Sequence, residues 1–279
     1  DVNTYKSYLL TENDINKIMQ NSQLRLDVIE AGVSIDNPKS ARYFGGRHIL
    51  PYDKGGESDS GEGWMPNYFV PTNYFIDWSE LAVSKMKSYT IADKMRDKNS
   101  NKPIKPHFET TCCAVFRNTD TYFKNSITFS DTGVYAPTFR VSSGTLYDVM
   151  GMSIFLETGN EGSELILLGI MASKLIRYRI KNYINHTVHT QVEGIKSINI
   201  LLNYDSLKSI ERLVAQIIHK QKTTPRYDYA SNEQVQIDRL IYEAYSLNEN
   251  DICEVENWYC RRYSKLASAQ EANRTTPGN

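Results

Sequence analysis

A chain of 279 residues with 40% hydrophobic and 23% charged side chains suits one large domain or two modest ones. No apolar run reaches membrane-spanning length, because Lys174, Arg177, Arg179 and Lys181 break up the longest one, so no membrane partner is expected. The net charge of −1 hides a division: residues 1–80 carry 7 cations and 12 carboxylates, residues 81–226 carry 20 and 12, and residues 227–279 carry 5 and 9. A basic middle between acidic ends points to a polyanionic partner, with a mixed solvated surface as the competing reading.

No signal peptide is visible, and a chain that opens at Asp1 rather than Met reads as a fragment of a longer protein. Cys112 and Cys113 are neighbours that would point opposite ways in a strand. Cys253 and Cys260 lie seven apart on an expected helix, about 10 Å by helical rise, too far to bridge. With no zinc-ligand spacing either, all four read as free thiols of a cytoplasmic protein.

In chain order, residues 12–31 predict a helix, with Thr11 as its cap and Gly32 ending it. Residues 43–78 are rich in Gly, Pro and aromatics and read as ordered loop with short strands. Residues 79–99 have helical spacing. Residues 107–156 offer short β-branched and aromatic runs separated by turn signals such as Asp131-Thr132-Gly133, which predicts antiparallel strands. Residues 163–184 predict one strong helix, whose second half carries four cations and no acid.

The following stretch, "NHTVHTQVEGIKSINI" (185–200), is β-branched and reads as a strand. Alternation would then send His186 and His189 to opposite faces, which disfavours a shared metal. Residues 206–222 predict a helix with Leu207, Ile210, Val214 and Ile217 forming an apolar seam. Residues 225–231 read as a linker. A capping box of Ser231 and Gln234 opens the next helix, and a second short one follows through "ENDICEVENWYCRRYSKL". The tail, 267–279, is polar and expected to fray.

The sequence contains no nucleophile elbow, no phosphate-binding loop and no defensible catalytic cluster. The acidic loop with Asp53, Glu57, Asp59 and Glu62 lacks calcium-loop spacing. Lys54-Gly55-Gly56 allows backbone N–H groups to approach a phosphate, although a plain surface turn is the blander reading. Lys174, Arg177, Arg179 and Lys181, interleaved with Tyr178 and Tyr183, form the better signal, because cations contact phosphates and aromatic rings stack or wedge. Arg140 in "TFRVSSG" adds a cation suited to guanine edges.

The segment "LLGIMASKLIRYRIKNYINHTVHTQVEGIKSINILLNYDSLKSIERLVAQII" resembles the end of a target-recognition domain in restriction–modification specificity proteins. Leu167-Leu168-Gly169, Ser173-Lys174-Leu175, Gln191, Ile195, Ile198 and Ile200 fall where that family has its motifs. The Pro-Leu-Pro-Pro that usually follows is replaced here by "ILLNYDSL". "YFGGRHILPYDKGGESDSGEGWMPNY", "TNYFIDWSE", "FRNTDTYFKNSITFSDTGVYAPTFRVSSGTLYDVMGMSIF" and "IDRLIYEAYSLNENDICEVE" look like one subgroup. That subgroup is the C-terminal part of large adenine-specific DNA methyltransferases of phage-defence and fused restriction–methylation systems.

The resemblance implies an α+β target-recognition domain with a mostly antiparallel β core, flanked by N-terminal helices and a C-terminal helical bundle. Residues 1–106 would join a methyltransferase domain missing from this chain, 107–226 would be the recognition core, 227–266 a helical pair and 267–279 a flexible tail. Double-stranded DNA would be the partner. S-adenosylmethionine would belong to the parent protein, with no cofactor in this fragment and no catalytic residue. The implied DNA contacts are Lys54, Arg117, Tyr135, Thr138, Arg140, Ser142, Ser143, Lys174, Arg177, Arg179, Lys181, His186 and His189. The competing readings are a glycan- or protein-binding module built on Trp64, Trp78 and the 19 tyrosines, and an enzyme with an unfamiliar site around residues 53–62.

Overall fold

Ser126–Ser130 reads Ser-Ile-Thr-Phe-Ser, and every side chain in it is buried, so the strand it forms must be covered on both faces. It belongs to a computed structural model that describes residues 9–11, 26–28, 42–44, 47–53, 64–71, 74–78, 118, 121–122, 124–133, 136–142, 145–147, 151–156, 163–200 and 204–275. The chain is mixed helix and strand, an α+β arrangement, and divides into two compact units. One comprises residues 1–53, 72–124 and 143–146; the other comprises 54–71, 125–142 and 147–279.

In the first unit, β1 (Leu9–Thr11), β2 (Leu26–Val28), β3 (Arg42–Phe44), β4 (Arg47–Asp53) and β5 (Tyr74–Asp77) form an antiparallel sheet in the order β1-β5-β4-β3-β2. The helix expected over 12–31 does not extend through β2: Leu26 pairs with Phe44 and Val28 with Arg42. Cross-strand pairing overrides the local helical pattern there. The helix expected over 79–99 and the tandem Cys112 and Cys113 lie outside the described residues.

In the second unit, β6 (Ser126–Ser130) lies between β7 (Phe139–Ser142) and β9 (Gly151–Ile154), both antiparallel to it. The two-residue strand β8 (Leu146–Tyr147), which comes between β7 and β9 in the chain, is no part of this sheet and pairs with β4 instead. Tyr68 extends this sheet: its N–H donates to Phe139 O at 2.7 Å, and Val141 N–H donates to Tyr68 O at 2.9 Å. β7 is therefore paired on both sides. Ile127, Phe129 and Phe139 join the helices in one apolar core.

The helix expected over 163–184 is broken and then widened. α1 (Ser163–Met171) stops at Ala172-Ser173. Ser173 Oγ donates to Ile170 O at 2.7 Å and accepts from Ile176 N–H at 3.3 Å, so it caps a new helix, α2 (Lys174–Arg179). A π-turn over Ile180–Ile184 follows, closed by Asn185 N–H on Ile180 O at 2.7 Å. The strand expected over 185–200 is absent: residues 185–191 form a loop, and α3 (Val192–Lys196) is a short helix. The β-branched Thr187 and Val188 are exposed, so no neighbouring strand face rewards their propensity.

α4 (Tyr204–Thr223) buries Leu207, Ile210, Val214 and Ile217, the apolar seam read from the sequence. It packs on α1, where Gly169 permits the approach; a Cβ there would run into Ile210 Cγ2 and lie 3.1 Å from Val214 Cγ2. Residues 225–231 are no free linker, since Tyr229 and Ala230 are buried. α5 (Glu233–Ala244) starts from Asn232, and the Ser231–Gln234 capping box does not form. Ser231 Oγ donates instead to Gln270 O, and Gln234 turns inward to Tyr68 and Asp238. α6 (Glu249–Arg262) has a capping box of Asn248 and Asp251. Where a frayed tail was expected, α7 (Ser264–Thr275) buries Leu266 and Gln270.

Candidate nucleic-acid interface

The cations of residues 174–181 serve the fold rather than presenting one outward face. α2 packs on α5 and α6, and this turns most of its sides inward. Lys174 Nζ pairs with Glu256 Oε2 at 2.7 Å and stands 4.8 Å from the Tyr259 ring centroid. Arg177 is 5% exposed, with its guanidinium over the same ring. Arg179 Nη1 reaches Asn199 O at 3.4 Å. Lys181 is buried, and its Nζ donates to Thr187 O at 2.8 Å and Gly133 O at 3.5 Å.

The candidates on β7 are also interior. Thr138, just before β7, and Arg140 and Ser142 on it are buried, and the backbone of the strand is paired at both edges, by Tyr68 and by β6. Thr138 Oγ1 lies 3.2 Å from Ser130 Oγ, and Thr128 Oγ1 donates to Arg140 O. As they stand, none of these three side chains is offered to a groove edge. Lys54, Arg117, Tyr135 and Ser143 lie outside the described residues.

His186 and His189 are exposed, and the structure brings them into one loop rather than onto two faces of a strand. His189 Nδ1–H donates to Asp131 Oδ2 at 2.8 Å, and Thr132 Oγ1 lies 3.4 Å from the same nitrogen. The backbones join as well: Gly133 N–H donates to Val188 O at 3.0 Å and Thr190 N–H to Asp131 O at 2.7 Å. His186 Nδ1 must donate to Lys181 O at 2.7 Å, because a carbonyl can only accept. Asn185 organises the interior of the loop, accepting from Thr187 N–H and Thr187 Oγ1 and donating to His189 O.

The π-turn makes this arrangement possible. It widens the helix just where Lys181 sits, and the buried ammonium then gathers carbonyls from loop 185–190 and turn 131–133. In both imidazoles Nδ1 is committed, which leaves Nε2 as an acceptor in the neutral ring and a donor in the charged one. With exposed Thr132 and Gln191, the paired loops carry short, directional hydrogen-bonding groups of the kind that read base edges. Turn signals in 131–133 were visible in the sequence; their pairing with residues 188–190 was not, since it spans more than fifty residues.

The second unit also holds a buried polar network. Tyr68 OH donates to Gln234 Oε1 at 2.5 Å, and Gln234 Nε2 donates to Asp238 Oδ1 at 3.2 Å. Asp238 Oδ1 also accepts from Lys174 N–H at 2.9 Å, at the first turn of α2. Burial pushes the Asp238 carboxyl up to about 6, against the opposing pull of Lys174. Desolvation likewise raises the phenols of Tyr68, Tyr229 and Tyr259, so these hydroxyls stay protonated donors. Asn67 ties the network to the sheet, accepting from Phe139 N–H at 2.9 Å.

The sequence reading missed the outer face of α4. Lys208, Arg212, His219 and Lys222 are all exposed there, and Arg226 follows just beyond the helix. Their signal was present as a charged repeat opposite the apolar seam. Among the described residues, no group of three or more His, Cys, Asp or Glu side chains is placed to hold a metal, and no helix is long and apolar enough to cross a membrane. No protein-family model and no curated protein matches the chain.

Proposed function

We propose that this chain is a sequence-reading module for double-stranded DNA, the target-recognition part of an adenine-N6 DNA methyltransferase from a bacterial restriction–modification or phage-defence system. The observation that carries the reading is the paired loop surface, in which turn 131–133 and loop 185–191 are locked together and present His186, His189, Thr132 and Gln191. Rigidly held hydrogen-bonding side chains suit base-edge discrimination, because each misplaced donor leaves a polar group unsatisfied. The motif order that resembles the specificity region of such methyltransferases supports the same reading. On this view the three-stranded sheet with Tyr68 is the antiparallel recognition core, and α4–α7 form the helical bundle that braces it. S-adenosylmethionine would be bound by a separate methyltransferase domain.

A selection from a randomised duplex library tests this. A short enriched motif is expected, and His189→Ala should flatten the preference at one or two positions by roughly 1–3 kcal/mol each. Recovery of unbiased sequence would contradict it.

A second reading, a module for glycan or protein ligands, is favoured by one feature. Tyr183 is 72% exposed and meets Tyr178 edge to face at 5.9 Å, and Tyr178 in turn meets Trp258 at 5.3 Å. Binding to an uncharged ligand that ignores salt and is lost in Tyr183→Ala would favour this over DNA.

A further inference from the structure

Residues 208–226 hold five lysines and arginines and one carboxylate, Glu211. On α4 the exposed Lys208, Arg212, His219 and Lys222 recur at intervals of four, seven and three residues. At 100° per residue this keeps them within about 40° of a single line, over about 21 Å of helix. The opposite face is sealed into the core by Leu207, Ile210, Val214 and Ile217, so the helix cannot roll to hide the stripe. Among the described residues, Lys208, Arg212 and Lys222 have no carboxylate within ion-pair distance, whereas Lys220, about 120° round the helix from that line, is neutralised by Glu233 at 2.7 Å.

We propose that the stripe Lys208–Arg212–His219–Lys222, continued by Arg226, is the phosphate-contacting surface through which this chain grips the backbone of double-stranded DNA. The inference rests on the DNA-reading function proposed above and assigns the grip to residues outside the reading loops. A straight row of cations of this length matches a stiff duplex, which offers a phosphate about every 3.4 Å along each strand. Single strands are held differently, by bases stacked on open aromatic rings. The rings beside this stripe are already covered by cations: Arg226 lies over Trp64, Lys222 over Phe69 and Lys220 over Tyr227. No carboxylate within the stripe itself is exposed; the exposed ones include Glu243, Glu249, Asp251 and Glu254 of α5 and α6.

The test is a salt titration of the whole chain on a random-sequence duplex, comparing the parent, the triple variant Lys208→Gln/Arg212→Gln/Lys222→Gln, and a charge-keeping triple, Lys208→Arg/Arg212→Lys/Lys222→Arg. Melting curves check that all three fold. The stripe predicts that the neutral triple binds more weakly and that its slope of log affinity against log salt flattens by about 2–3, roughly 0.9 per lost contact. The charge-keeping triple should retain the parental slope. A parental slope in the neutral triple, with motif preference intact, would overturn the stripe and leave DNA reading standing. A flattened slope in a chain that shows no motif preference would support the stripe and remove the reading function. Failure of the parent to bind duplex, or stripe-dependent binding to poly-glutamate without binding to duplex, would overturn it in favour of another partner.

Discussion

Lys181 shows how one buried charge can shape a surface. Its ammonium sits behind the loops and donates to Thr187 O and Gly133 O, while its own carbonyl accepts from His186. Lys181→Met keeps the aliphatic stem but removes the donors. We expect faster amide exchange at Gly133 and Thr190, the residues that zip the loops together, with helix content unchanged by circular dichroism. Protection at those amides equal to the parent would show that the ammonium is not the organiser. Asp238 is the other decisive residue. Its folded value near 6 lies above the ordinary 3.8, so the fold favours the protonated acid. That contribution is complete below 3.8 and is lost as pH rises through about 6. Asp238→Asn should therefore stabilise the protein by ~1–2 kcal/mol near neutral pH, a gain that fades on acidification. Denaturant titrations at several pH values measure it; a variant destabilised at neutral pH would mean that the ionised carboxylate is needed at the first turn of α2.

At the scale of elements, α1 and α4 form a close joint at Gly169. Gly169→Ala improves helix propensity but drives a methyl into Ile210, which has no room to move. We expect a net loss of ~1–3 kcal/mol in urea unfolding; a neutral or stabilised variant would show that the joint relaxes. α4 was legible because its period-3.6 apolar seam and its packing agree. The strand read at 185–200 was not, because β-branched residues can only express their preference against a neighbouring strand, and Thr187 and Val188 face solvent instead. The same logic explains Leu26–Val28, where a strand partner overrides a helical pattern. The four cations of 174–181 looked exposed because lysine and arginine usually are; only the packing of α2 on α5 and α6 reveals that they serve internal carbonyls, a carboxylate and a tyrosine ring. Asn248, which caps α6 together with Asp251, immediately precedes the tract read as the second short helix.

Across the second unit, the proposed recognition and grip would fall on different elements. The paired loops carry directional groups, with His189 facing Asp131, whereas Lys208, Arg212 and Lys222 of α4 are exposed cations without an ion pair among the described residues. Such a division makes preference and salt dependence separable quantities. Competition between the enriched duplex and a scrambled duplex of equal length measures the preference directly, for the parent chain and for His186→Ala/His189→Ala. The parent should favour the enriched duplex at least tenfold, and the double variant should lose that preference while keeping its affinity for the scrambled duplex and its salt slope. Equal binding of both duplexes by the parent, or a full preference retained by the double variant, would contradict base reading by these loops.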